Sequence, residues 1–125
     1  MYDHAEILIV EDSPTQATEL QYLLEASGCQ VRIARNGVEA IKILASQDIH
    51  LVISDFMMPE MNGMQTLQAL RQIAELSQTP AIFMTAKAME SIEGEMSGMG
   101  VLGRITKPFD PVTLPNEIRR FWAAR

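Results

Sequence analysis

The sequence predicts an α/β protein built on a single doubly wound, five-stranded parallel sheet. Short apolar runs rich in Ile, Val and Leu recur along the chain and lack the polar alternate of a half-exposed strand. Such runs are typical of strands that are buried on both faces. Segments with helical spacing separate the runs, so that strand and helix alternate five times. This alternation predicts parallel strands joined by right-handed crossovers, with helices on both faces of the sheet.

The predicted strands follow from the apolar runs themselves. They are residues 7–10, 30–34, 51–54, 81–84 and 101–106. Capping residues then mark the first helix, because Ser13 offers a hydroxyl cap and Pro14 the fixed φ of a first helical position. Gly28 fits the left-handed residue that ends such a helix. Its inward stripe is predicted to be Ala17, Leu20, Leu23 and Leu24.

The other helices are predicted from their caps and apolar spacing. Asn36 caps the second helix, which is expected to turn these side chains inward: Val38, Ile41, Leu44 and Ala45. A third helix follows the turn at 61–63, and a fourth, weaker one includes residues 92–99. The last helix carries one apolar face, formed by Leu114, Ile118, Phe121 and Trp122. Pro115 is expected to delay or distort its first turn.

Length and charge limit the possible functions. A chain of 125 residues fits one domain, which we expect to cover residues 1–125. Ten Lys and Arg against sixteen Asp and Glu give a net charge of −6, which argues against binding the nucleic-acid backbone. No apolar stretch is long enough to cross a membrane and no leader pattern is present, so a cytoplasmic protein without membrane contact is expected. The single Cys29 is predicted to be a buried thiol.

Acidic residues end two neighbouring strands of the predicted sheet. Glu11 and Asp12 follow the first strand, and Asp55 follows the third. In a sheet of order 2-1-3-4-5 the chain reverses direction between these strands, and ligands bind in the crevice at that edge. Three carboxylates placed together repel one another, and a bound cation relieves the repulsion. Oxygen ligands at a sheet edge suit Mg²⁺, which pairs with phosphoryl groups.

Two further strand ends supply groups that suit a phosphoryl ligand. Lys107 can neutralise phosphoryl oxygens, and Thr85 can donate a hydrogen bond to one of them. His4 and His50 are best explained as surface or loop residues, so an aspartate carboxylate is the natural nucleophile, and it would give an aspartyl phosphate. Each residue alone has a structural explanation, as a turn former, a dipole partner or a surface charge. Their joint occurrence at four strand ends favours a functional site.

Four sequence strings in this order closely resemble the receiver domain of two-component response regulators. The strings are ILIVEDSP, LVISDFMMPEMNG, IFMTA and ITKPF. The resemblance extends from about Glu6 to Phe121 and implies a flavodoxin-like (βα)5 fold. It also implies that Asp55 accepts a phosphoryl group from a sensor histidine kinase or a histidine phosphotransfer protein. Such a domain is a signalling module that assists its own phosphorylation and dephosphorylation, and not an enzyme in the ordinary sense.

The resemblance also implies roles for the remaining site residues. Thr85 would move toward the phosphoryl group, and Lys107, followed by a cis bond to Pro108, would contact it. The implied Mg²⁺ ligands are Glu11, Asp12, Asp55 and the backbone carbonyl of Met57.

Arg104 departs from the family pattern, because receivers usually carry Tyr or Phe three residues before this lysine. In the family that aromatic links phosphorylation to a partner surface. Arg104 therefore either places a charge on that surface or is simply a solvated arginine. We expect Arg104, Pro108 and Phe109 to form the switch and partner surface, whose downstream effector the sequence does not identify.

Two other function classes remain open. One is a phosphorylation-independent interaction module on the same fold, which Arg104 alone favours. The other is a metal-dependent phosphatase that works through an aspartyl phosphate, which normally needs a second acid beside the nucleophile. The chain places Phe56 and Met57 directly after Asp55, so this class is less favoured.

Overall fold

The described part of the chain forms a five-stranded parallel sheet. In the computed structural model the described residues are 4–55, 65, 68, 71, 79–86 and 100–124. The strands are β1 (Glu6–Val10), β2 (Gln30–Ala34), β3 (Leu51–Asp55), β4 (Ala81–Ala86) and β5 (Val101–Lys107). Every neighbouring pair is parallel, and the spatial order is β2-β1-β3-β4-β5, which confirms the predicted fold class.

Helices connect and cover the strands. They are α1 (Pro14–Ala26), α2 (Gly37–Ser46) and α3 (Leu114–Ala124). Positions 65, 68 and 71 are helical, which agrees with the predicted third helix, whereas the predicted fourth helix lies outside the described residues. Among the helices described, none is long and apolar enough to cross a membrane.

The two faces of the sheet bury separate apolar clusters. Ile7 and Ile9 of β1 belong to the cluster beneath α1 and α3, and Leu8 and Val10 belong to the cluster beneath α2. Side chains alternate between the faces along a strand, so a strand covered on both sides needs apolar residues at every position. This explains the continuous apolar runs, and it leaves only the edges of the sheet for polar chemistry.

Helix α1 begins and ends as its sequence predicts. The Ser13 hydroxyl accepts a hydrogen bond from the backbone N–H of Gln16 at 3.4 Å, and Pro14 occupies the first helical position. Gly28, just beyond the helix, has φ of 96°, a conformation that costs glycine little. The predicted inward stripe is buried at Ala17, Leu20 and Leu24 and half-buried at Leu23. Caps at both ends and a buried face thus fix the position of α1, the helix that follows the carboxyl end of β1.

The predicted inward face of α2 is partly wrong. Asn36 caps the helix, accepting a hydrogen bond from the Glu39 N–H at 2.9 Å, as expected. However, Val38 is 47% exposed and Ala45 is also exposed, and Ile41 is only half-buried. The buried face instead consists of Gly37, Ala40 and Leu44. Small side chains allow the helix backbone to approach the sheet closely, so the larger Val38 lies toward solvent.

Helix α3 starts at Leu114, so Pro115 does not delay it. A proline is tolerated in the first turn because the first N–H groups have no intrahelical acceptor. The turn before the helix is held by Asp110, whose carboxylate accepts the Val112 N–H at 2.9 Å. The predicted apolar face is confirmed, since Leu114, Ile118 and Trp122 are buried.

Phe121, the fourth member of this face, packs on β5 at a position that has no side chain. A Cβ atom built on Gly103 would lie 2.5 to 2.8 Å from three atoms of the Phe121 ring. Real Cβ atoms do not approach other atoms this closely. Gly103 therefore allows α3 to lie against the strand that ends in Lys107.

We predict that Gly103→Ala lowers the free energy of unfolding by about 1–3 kcal/mol, because the added methyl forces the Phe121 ring out of place. Urea denaturation of Gly103→Ala, Phe121→Ala and the double variant measures this effect. In the Phe121→Ala background, Gly103→Ala should cost much less stability than it does in the wild type, because the ring that the methyl group displaces is absent. Equal stability of Gly103→Ala and the wild type would contradict the packing described here.

Candidate functional site

The strand ends bring the predicted acidic residues together. Val10 of β1 pairs with Ser54 of β3, so the residues that follow them lie side by side at the carboxyl edge of the sheet. Ligand oxygens of Glu11, Asp12 and Asp55 lie within 4.8 Å of one another. Glu11 is only 1% exposed and Asp55 8%, whereas Asp12 is open to solvent. The site thus combines two buried carboxylates with one exposed carboxylate.

Lys107 crosses the carboxyl edge to reach this acidic cluster. Its Nζ lies 2.8 Å from Oε1 of Glu11 and 3.0 Å from Oδ2 of Asp55. The other oxygen of Glu11, Oε2, accepts a hydrogen bond from the Ser13 N–H at 3.1 Å. Both oxygens of Glu11 are therefore engaged, and one ammonium group is the shared counter-charge of two acids. Lys107 was predicted to contact phosphoryl oxygens, whereas its contact with Glu11 was not predicted.

Burial and neighbouring charges shift the pKa values of both Glu11 and Lys107. Burial raises the pKa of the Glu11 carboxyl, and the hydrogen bonds from Lys107 and Ser13 only partly oppose this. Burial by itself lowers the pKa of Lys107, but its hydrogen bonds to Glu11 and Asp55 and their charges outweigh that effect, so the pKa is raised. Lys107 consequently stays positively charged throughout the neutral range.

Thr85 contributes a buried hydroxyl to the same edge. It is the next residue in β4 after Met84, which pairs with Asp55, and it pairs in turn with Thr106 of β5. Thr85 is 2% exposed, and its Oγ1 has no hydrogen-bond partner among the described residues. An unsatisfied buried hydroxyl costs about 1–3 kcal/mol. A ligand that brings an acceptor oxygen to this edge would remove that cost.

The donor set fits a hydrated divalent cation. All three side chains offer carboxylate oxygens, the ligands that Mg²⁺ prefers, and the exposed position of Asp12 leaves room for the waters that Mg²⁺ retains. The mutual repulsion of the carboxylates is only partly offset by Lys107, so a second cation would be favourable. The expected fourth protein ligand, the backbone carbonyl of Met57, lies outside the described residues.

The residues of the expected partner surface lie on either side of Lys107 in the chain. The Lys107–Pro108 peptide bond is cis, as the resemblance implied. Arg104 is half-buried and, with Pro108 and Phe109, lines a cavity of about 310 Å³ that also includes Asp110 and Glu117. The three predicted surface residues are thus brought together.

Pro108 and Phe109 also face a second cavity, on the α1 side. Lys107, Gln16 and Glu19 complete its lining, and its volume is about 340 Å³. Gln16 was expected only as part of the cap of α1, and neither Gln16 nor Glu19 was among the predicted site residues. The sequence pattern gives little indication of them, because both residues occupy positions of α1 that are expected to face solvent.

A doubly wound sheet with an acidic cluster and a lysine at its carboxyl edge is the architecture of receiver domains. The chain belongs to the response regulator receiver domain family, whose sequence model matches residues 7–119. Among curated proteins it is 37% identical to Protein PilH of Pseudomonas aeruginosa, over 88% of this chain and 91% of that protein. It is 36% identical to the probable transcriptional regulator ycf29 of Porphyra purpurea, over 90% of this chain and 54% of that protein.

A solved structure supports the same assignment. The signal receiver domain of a signal transduction histidine kinase from Syntrophus aciditrophicus superimposes with a TM-score of 0.82. It is 38% identical, and the match covers 96% of this chain and 91% of that one. The chain spans about half the length of several curated relatives that it matches. Receiver domains bind Mg²⁺ at an acidic pocket and interact with histidine kinases and effectors.

We predict that millimolar Mg²⁺ raises the melting temperature, because the cation binds the folded carboxylate cluster and not the unfolded chain. At about ten times the dissociation constant the increase should be about 4–7 °C. Asp12→Asn should reduce it, whereas Asp48→Asn, which alters an exposed carboxylate outside the cluster, should not. Differential scanning calorimetry against NaCl of equal ionic strength provides the measurement. Identical melting curves with and without Mg²⁺ would refute the cation site.

We predict that Lys107→Met lowers the free energy of unfolding in metal-free buffer by about 1–3 kcal/mol, because two buried acids lose their shared counter-charge. Mg²⁺ should restore most of that loss by supplying positive charge at the same place. Urea denaturation with EDTA or Mg²⁺ tests both statements. Lys42→Met, which removes an exposed lysine of α2, serves as the matched control. A loss that is equal in EDTA and Mg²⁺ would mean that the lysine and the cation do not share a role.

Proposed function

We propose that the chain is one receiver domain, covering residues 1–125, that takes up a phosphoryl group on Asp55 and thereby changes its binding to a partner. The donor would be a sensor histidine kinase or a histidine phosphotransfer protein. The observation that most supports this is the Lys107 ammonium held 3.0 Å from the Asp55 carboxylate, beside two further carboxylates. Membership of the receiver family supports the same function.

The proposed reaction is a phosphoryl transfer to a carboxylate oxygen. An Asp55 oxygen forms a new P–O bond while the P–N bond to the donor histidine breaks, and the departing imidazole takes up a proton. Asp55 suits this role because its carboxyl group lies 3.0 Å from the ammonium group of Lys107, whose pKa is raised and which stays positively charged. Bound Mg²⁺ would neutralise part of the charge that accumulates on the phosphoryl oxygens.

The other residues of the site would hold the product. Lys107 would exchange its contact with Asp55 for a phosphoryl oxygen, which keeps a charge-assisted hydrogen bond in place. The Oγ1 of Thr85, which has no hydrogen-bond partner within the described part of the chain, would donate to another phosphoryl oxygen. The proposed Mg²⁺ ligands are Glu11, Asp12, Asp55 and the carbonyl of Met57. These groups also assist hydrolysis of the aspartyl phosphate, so the domain would reset itself without acting on outside substrates.

The signal would leave the site through β5. Lys107 is the last residue of this strand, and the surface residues Arg104, Pro108 and Phe109 lie within three positions of it. A shift of Lys107 would therefore alter the cavity that these residues line. The downstream effector would be a protein, because the net charge of −6 disfavours nucleic acid. We place this exchange in the cytoplasm.

We predict that Asp55 becomes phosphorylated when the protein is incubated with Mg²⁺ and a small acyl phosphate, since the site supplies nucleophile, lysine and metal ligands. Intact-mass spectrometry should record a gain of one phosphoryl group, which EDTA or Asp55→Ala abolishes. Arg104→Ala should leave the gain nearly intact, because Arg104 lies on the partner surface and not at the site.

Three results would contradict the proposal. Full phosphorylation of Asp55→Ala would move the acceptor elsewhere. An unphosphorylated wild type would favour an interaction module that works without phosphate. Steady turnover of an external phosphomonoester would instead favour the phosphatase.

A further inference from the structure

Ser54 is a polar residue at the centre of an apolar sheet. It lies in β3, the middle strand, in which all five residues are buried, and it is 2% exposed. Its paired neighbours are Val10 in β1 and Phe83 in β4, and both belong to the apolar cluster beneath α2. A β-branched apolar residue is normally favoured at such a position. The presence of a hydroxyl here therefore calls for a specific contact.

The Ser54 hydroxyl donates a hydrogen bond to the backbone carbonyl oxygen of Asp55 at 3.1 Å. This carbonyl belongs to the peptide group by which the chain leaves β3. The pairing of β3 with β1 ends at Ser54, and its pairing with β4 ends at Asp55. Asp55 is thus the last described residue of β3, and the hydroxyl adds a constraint on its carboxyl side.

We infer that Ser54 is a positioning residue for the phosphoacceptor. By holding the Asp55 carbonyl it restrains the backbone on the carboxyl side of Asp55, and with it the Cα atom from which the side chain extends. The side chain is thereby kept where Lys107 Nζ reaches it and where the oxygens of Glu11 and Asp12 are close. Reactive groups must be held within about 0.5 Å of their productive positions. This inference rests on the proposed phosphoacceptor function.

A purely structural role for Ser54 predicts a different result. The hydroxyl would then only satisfy its own hydrogen-bonding capacity inside the sheet, and its loss would change stability without changing the affinity of the folded protein for metal. Ser54→Ala removes the hydroxyl with little change in packing, and Ser54→Cys keeps a side chain of similar size but donates weakly. The matched control is Thr79→Ala. Thr79 is a buried residue with a hydroxyl group just before β4, at the amino ends of the strands and away from the site.

Three quantities are measured for each variant, well below its melting temperature. They are the melting temperature in EDTA, the Mg²⁺ dissociation constant by titration calorimetry, and the rate of phosphorylation by a small acyl phosphate. Ser54→Ala and Ser54→Cys should bind Mg²⁺ about fivefold more weakly and be phosphorylated about fivefold more slowly, the effect expected for one lost hydrogen bond. Thr79→Ala should match the wild type in affinity and rate, whatever its melting temperature.

Affinity and rate within twofold of the wild type in Ser54→Ala would overturn the role of Ser54, while the phosphoacceptor function stands. An equal loss in Thr79→Ala would also overturn it, because the effect would then be general destabilisation. A wild type that neither binds Mg²⁺ nor is phosphorylated would reject the proposed function itself. The failure of the inference and the failure of the function are therefore distinguishable.

Discussion

The Lys107 ammonium between Glu11 and Asp55 is the interaction on which the site depends. Two buried carboxylates next to a third repel one another, and a counter-charge lowers the cost of holding them at one edge of the sheet. Within the described residues, Lys107 at the end of β5 supplies it. The order β2-β1-β3-β4-β5 places β5 two strands from β3, which is within reach of a long lysine side chain. The strand order of the sheet thus brings the positive charge of Lys107 to the carboxylates of Glu11 and Asp55.

The same arrangement leaves the site incompletely satisfied. Glu11 is held by Lys107 and the Ser13 N–H, yet burial still raises its pKa, and the Thr85 hydroxyl is unpartnered among the described residues. A fold selected for stability alone would replace these groups with apolar side chains of similar volume. Sites of this kind give up stability so that an incoming cation or anion completes them. The unsatisfied groups lie where the proposed phosphoryl ligand would bind.

Much of the fold and of the candidate site could be predicted, because the site residues interrupt the continuous apolar runs of the strands. Glu11, Asp55 and Lys107 stand where continuous apolar runs end, and parallel strands bring their carboxyl ends to one edge. The misses have physical reasons. The face of α2 was misjudged because Gly37 and Ala40 contribute little to an apolar pattern, although their small size is what allows close packing. The contact of the Ser13 amide with Glu11 involves a backbone group, which no pattern of side chains reveals.

Strand β5 connects the site to the surface formed by Arg104, Pro108 and Phe109. The arginine at position 104 limits how a change at the site could reach that surface. Lys107 ends the strand, and Pro108 and Phe109 line one cavity toward α3 and another toward α1. Under the proposed function, a displacement of Lys107 would therefore be carried into both cavities through Pro108 and Phe109, without a rotating side chain at position 104. Arg104 is charged, and moving it from its half-buried place into the apolar cluster would cost several kcal/mol in desolvation, roughly. A signal that passes along β5 must then act by changing the shape of the cavity around a fixed charge. An aromatic residue at position 104 could move inward at far lower cost, so under the proposed function the step that follows phosphorylation would differ from the family pattern.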